Sequence, residues 1–199
     1  MEAIDFFRMS EGRWISQRST HHLAMRRTEL GQLEIATSIL EPGSAEVTQI
    51  CQMHDVDPDA AIGGLAVSWQ GSMAWDEKGK TQDGSTILVL VPDPDNPQAG
   101  QLLREKGYAE TSPVVGRYLV DEQDGLILLT DYATMSSVER FSFPTDKLRL
   151  RTSTVIGLSN TASFCVETRL AASDTDSTHA QPTTDPDSLP AAYYSVLGW

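Results

Sequence analysis

The chain has 199 residues, enough for one domain or one domain with a tail. Apolar residues make up 40% and charged residues 22%, a balance typical of globular proteins. The formal charge of -13 argues against nucleic acid as the main partner, because phosphate binding needs clustered Lys and Arg. The eleven arginines outnumber the four lysines, which favours recognition of specific carboxylates or phosphates over diffuse attraction. No stretch approaches the roughly 18 apolar residues that span a bilayer, and Ile87–Val91 reads as a buried strand. The N-terminus has no basic segment followed by an apolar one, so no secretory signal is expected. Cys51 and Cys165 lie far apart without a CxxC, so neither a disulfide framework nor a zinc site is expected. A reducing cytoplasm fits best.

In chain order, Ala3–Met9 reads as a short helix whose Ile4, Phe6 and Phe7 can cover a hydrophobic opening. The segment RWISQRSTHHL follows as a strand, with Trp14, Ser16, Arg18, Thr20 and His22 on one face. His21 and His22 point oppositely on a strand and are poorly placed to chelate a metal together. LEIATSIL is the next strand. Ser44 then caps a helix in which Val47, Ile50, Cys51 and His54 share helical spacing. Seven further strand candidates follow: GLAVSWQGSMAW, STILVLVP, VVGRYLV, GLILLTDYAT, SVERFSF, KLRLRTSTV and ASFCVETRL. Turn-rich breaks such as DPDNP and DEQDG separate many of them. The fold class is therefore mainly β. Nine strands with short connections imply an antiparallel sheet that removes its edges by closing into an up-and-down barrel. A barrel of that size can hold one small ligand. From Ala171 to Pro190 a single leucine is the only large apolar residue, so residues 171–199 are expected to form an acidic, disordered tail after a domain of residues 1–170. Its terminal YYSVLGW can dock on the barrel or on a partner.

Three groups of residues can carry chemistry. In LRLRTSTV, alternation puts Arg149, Arg151 and Ser153 on one face and Leu148 and Leu150 on the other. Two arginines at that spacing can grip two carboxylates of one ligand, although alternation alone favours a solvated exterior. In VERFSFP, Glu139, Phe141 and Phe143 share a face. A carboxylate beside aromatic rings is a candidate for proton transfer, with an ion pair to Arg149 or Arg151 the commoner outcome. Trp69 and Trp75 share parity, so an unbroken strand makes them a stacking platform for a conjugated ligand, with Gly71 between them allowing a bulge. Neither cysteine has a helix N-terminal or basic neighbour that argues for a thiolate nucleophile. Triad, P-loop, dinucleotide and EF-hand patterns are all lacking.

Taken together, DFFRMSEGRWISQRSTHHLA, VSWQGSMAW, VERFSFP, LRLRTSTV and SFCVETRL resemble the S/U-type phycobiliprotein bilin lyases of cyanobacteria and cryptophytes, in order and spacing, from Ile4 to Leu170. The resemblance implies a lipocalin-like or fatty-acid-binding-protein-like barrel with one or two short helices. It also implies binding of phycocyanobilin or a related open-chain tetrapyrrole. The ligand would be attached through a thioether to a cysteine of phycobiliprotein subunits of the phycocyanin or allophycocyanin type. By motif match it points to Glu139, Arg149 and Arg151 as catalytic residues, and to Arg18, Trp69, Trp75, Ser153 and Glu167 as substrate contacts beside Phe141. No metal or cofactor is expected, since the bilin is the substrate and the acceptor supplies the thiol. A bilin carrier or a subunit chaperone without transfer activity would need the same pocket. A homodimer and a partner lyase subunit both stay open.

Overall fold

The computed structural model describes residues 1–77, 81–105, 114–157 and 160–171. The expected tail, 172–199, lies outside them. The described residues contain helix α1 (Ala3–Ser10), strands β1 (Gly12–His22) and β2 (Arg27–Leu40), and helix α2 (Ala45–Met53). Strands β3 (Gly63–Met73), β4 (Gln82–Asp93), β5 (Asn96–Arg104), β6 (Val114–Val120) and β7 (Leu126–Asp131) follow, then β8 (Met135–Thr145), β9 (Leu148–Gly157) and β10 (Thr161–Arg169). Each strand pairs antiparallel with its sequence neighbours, and β10 returns to β1 to close a barrel. The up-and-down barrel expected from the pattern is therefore present, with one more strand than expected. The addition is β5, whose Pro97 and Gly100 interrupt strand propensity and hid it from the sequence pattern.

Period-two alternation builds the walls. In β6, Val114, Gly116, Tyr118 and Val120 are buried while the residues between them are exposed. Helix α1 plugs one end of the barrel, as its apolar face foretold. Ile4, Phe6 and Phe7 are buried against Leu88, Leu90 and Leu126, and Phe6 packs 4.8 Å from Phe143 between ring centroids. Burying side chains of this size contributes about 1.5–3 kcal/mol each. The Trp14 indole donates to the carbonyl of Ser10, and the Thr37 hydroxyl donates to the same oxygen, which ties the end of α1 to β1 and β2. Helix α2 lies outside the barrel. The Ser44 hydroxyl accepts from the Val47 amide as its cap, and Val47, Ile50 and Cys51 bury against Val89, Val91 and Leu103 of β4 and β5.

The floor is thus apolar and the outer helix is anchored on the far side of β4 and β5. Polar residues face inward above the floor.

Candidate functional site

The inward face of β9 carries arginines. Arg149 is only 4% exposed, so the alternation-based expectation of a solvated exterior is overturned. The lumen of this barrel is polar on one side, which inverts the usual apolar-inward reading of an amphipathic strand.

Register explains how the charges meet. Glu167 of β10 pairs with Arg149 of β9 and Ser16 of β1. One row higher, Cys165 pairs with Arg151 and Arg18, and Arg151 pairs with Phe141 of β8. Above that, Ser153 lies between Ser163 and Glu139. The result is an alternating chain of charge. Arg149 donates from Nε to Glu167 at 2.5 Å, and Glu167 meets Arg151 at 3.3 Å. Arg151 lies 3.7 Å from Glu139, and Glu139 lies 3.9 Å from Arg104 of β5, across the lumen. Glu167 is fully buried and also accepts from the Ser16 hydroxyl. Burial lowers the Arg149 guanidinium from its ordinary value and Glu167 opposes this; an arginine stays charged throughout. Burial also works against the charge of Arg151, but Glu167, Cys165 and Glu139 outweigh it and raise its pKa.

Aromatic faces line the same volume. The Arg149 guanidinium sits 4.7 Å from the Trp14 ring and 5.8 Å from Phe141, and Arg151 sits 5.6 Å from Phe141. Trp69 faces inward with Trp14, Leu33 and Ile35. A Cβ at Gly84 would lie 2.5 Å from the Trp69 ring, so the glycine makes room for the indole. Arg18 spends its guanidinium on neutral partners, the hydroxyls of Thr20 and Ser163.

Two expectations are corrected. Trp69 and Trp75 do not share one strand face, because β3 ends at Met73 and Trp75 lies in the turn beyond it. Trp75 instead stands at the barrel mouth, stacked on His22 at 4.7 Å, with its amide donating to Glu29. Glu29 also meets His22 Nε2 at 3.2 Å, while His21 points outward to Thr28, as strand alternation requires. Cys165, taken to lack a basic neighbour, has its sulfur 3.5 Å from Arg151 Nη2, because Arg151 and Cys165 are cross-strand partners.

Of the catalytic and substrate-contact residues named from the sequence, all except Trp75 therefore face the lumen. Arg104 and Glu29 were missed, and Ser16 was placed on the right face without a role. Glu29 was within reach of the pattern through the short connection that sets the β1–β2 register. Arg104 went with its strand. In the middle of the lumen, Arg18, Arg104, Arg149 and Arg151 face Glu139 and Glu167, a surplus of two positive charges inside a chain of net charge -13. Side-chain exposures of 20% for Arg151 and 22% for Glu139 show that solvent reaches this volume within the closed wall. A separate groove of about 460 Å³, lined by small residues such as Ala36, Ser68 and Ser85, crosses the outside of β2, β3 and β4; none of these charges lines it.

A family model described as CpeS-like protein matches residues 2–170. The chain belongs to the CpeS-like family. A chromophore lyase CpcS/CpeS of Trichodesmium erythraeum is 48% identical over 201 residues, covering all of both chains. A phycocyanobilin lyase subunit CpcS of Picosynechococcus is 46% identical over 200 residues, covering all of this chain and 98% of its own. Both alignments run through residues 172–199. Among solved structures, the S-type phycobiliprotein lyase CPES of Guillardia theta superposes with a TM-score of 0.77 at 31% identity, over 86% of this chain and 94% of that one. The resemblance read from the motifs, and the barrel it implied, are both borne out.

Proposed function

We propose that this chain is a phycobiliprotein lyase that binds phycocyanobilin or a related open-chain tetrapyrrole in the barrel lumen. It passes the bilin to a specific cysteine of a phycocyanin- or allophycocyanin-type subunit in the cytoplasm. The observation that carries this reading is the cationic lumen with aromatic rings on its walls and Glu139 in its midst. A bilin brings two propionates, a flat conjugated system and pyrrole N–H groups, and each has a counterpart there. Arginine forks suit carboxylates, indole and phenyl faces suit the π system, and a carboxylate suits protonated pyrrole nitrogens.

The chemistry asks little of the lyase beyond placement. The acceptor thiolate adds to the ethylidene carbon of ring A. A C–S bond forms, the electron pair of the ring A double bond takes up a proton, and nothing leaves. Glu139, without a hydrogen bond to any described residue, is free to hold the pyrrole nitrogens protonated and keep ring A electrophilic. Arg18, Arg149, Arg151, Ser153 and Glu167 shape the cradle, Trp69 and Phe141 line it, and Trp75 stands at its mouth. Holding the bilin in one conformation selects the face of attack. On this reading the bilin is substrate and no resident cofactor takes part.

The test mixes the protein, phycocyanobilin and an apo-subunit, then denatures the products in acid urea. Transfer leaves bilin covalently on the acceptor with the shortened conjugation of a thioether adduct. Bilin that separates from the acceptor on denaturation would make the barrel a carrier. Subunit binding indifferent to bilin would make it a chaperone.

A further inference from the structure

Of the four arginines in the middle of the lumen, three donate hydrogen bonds to other described residues. Arg149 donates to Glu167, Arg151 to Cys165, and Arg18 to Thr20 and Ser163. Arg104 differs. It is the last residue of β5, in register with Leu88 and Val114, and shares the inward parity of Leu102. Its side chain is 11% exposed, its Nε is buried without a hydrogen-bond partner, as is that of Arg151, and among the described residues its carboxylate partner, Glu139, stands off at 3.9 Å. That separation is an electrostatic contact rather than a hydrogen bond. A guanidinium has five donors in a planar fork, and leaving a buried one such as Nε unused is costly. Among the described residues the lumen around it already has more positive than negative charge, which suits an anionic group brought by a ligand.

We propose that Arg104 is a ligand anchor that binds one of the two propionate carboxylates of the bilin through its fork. Arg149 and Arg151 are held by Glu167 and serve the cradle. This rests on the bilin reading above and assigns one contact within it. β5 and β1 stand on different sides of the barrel, so an acid group on Arg104 is held apart from one on Arg18. The ligand is then fixed in rotation as well as depth. The chemistry recognised is a conjugated hydrophobe with a side-chain carboxylate.

The test compares the affinity of wild type and Arg104→Gln for phycocyanobilin and for its dimethyl ester, which keeps the π system and removes both charges. Wild type is expected to prefer the diacid. Arg104→Gln is expected to lose roughly tenfold or more on the diacid, the scale of one charge-assisted hydrogen bond, and little on the diester. Arg104→Lys, which keeps the charge without the fork, should fall between the two and carries the same comparison if the glutamine variant does not fold. Equal losses on both ligands, or none on either, would overturn the proposal and reduce Arg104 to a counter-ion for Glu139. A wild type that binds neither form would overturn the bilin reading itself, a distinct result from a wild type that binds but does not discriminate through Arg104.

Discussion

The two ends of the charged chain in the lumen use the same residue types to different effect. At one end Arg149 and Glu167 are nearly sealed, 2.5 Å apart, with Ser16 on the carboxylate and the Trp14 ring over the guanidinium. At the other end Arg151, Glu139 and Arg104 stand 3.7 and 3.9 Å apart, with Glu139 open to solvent at 22%. The first end is complete within the protein, and its charges compensate for each other's burial. The second end is incomplete, and its groups have donors and lone pairs to spare. A buried ion pair that is saturated belongs to the fold; one held slack beside an opening is poised for a ligand.

Breaking the saturated end should have the largest effect. Arg149→Ala leaves Glu167 fully buried with its shorter partner gone, which costs about 3–5 kcal/mol. Urea unfolding should show a midpoint far below wild type, and an unchanged midpoint would remove the distinction drawn here. At the slack end, Glu139→Gln keeps shape and removes charge. Stability should change by less than about 1 kcal/mol, because no hydrogen bond is lost. The visible spectrum of bound bilin should nevertheless lose its protonated character and transfer should slow; a normal spectrum with normal kinetics would make Glu139 an ion-pair partner only.

The smallest effect lies outside the lumen. Arg140 donates to Asp121 at 2.7 Å and holds its carboxyl below the ordinary range, against some opposing burial and with help from the Gly125 and Gln123 amides. A depressed folded value stabilises above the unfolded pKa near 4 and is lost as pH falls through the folded value. Both side chains are partly exposed, so Asp121→Asn should cost about 0.5 kcal/mol near neutral pH. Melting curves of wild type and variant should converge as the solution is acidified below pH 4; a constant gap would mean that the aspartate acts through packing.

Much of this was legible in the sequence. Alternation in LRLRTSTV put Arg149, Arg151 and Ser153 together, and the apolar face of Ala3–Met9 pointed to a plug. Which way the arginines face was not legible, because β9 has a charged face and a leucine face and the lumen breaks the rule that the leucines go inside. The resemblance settled what periodicity could not. Trp75 misled because parity counting ran through a turn that ends β3. Arg104 was invisible for a related reason: Pro97 and Gly100 suppress strand propensity, and β5 exists because β4 and β6 offer it edges on both sides.

The central claim is that the slack end of the lumen receives the bilin while the saturated end stays intact. A structure of the protein with phycocyanobilin bound tests it most directly. The account predicts the tetrapyrrole inside the barrel between Trp69 and Phe141. Glu139 should lie within hydrogen-bond reach of the pyrrole nitrogens, with the Arg149–Glu167 pair undisturbed. A bilin seated in the outer groove, or an Arg149 that leaves Glu167 to bind a propionate, would contradict it.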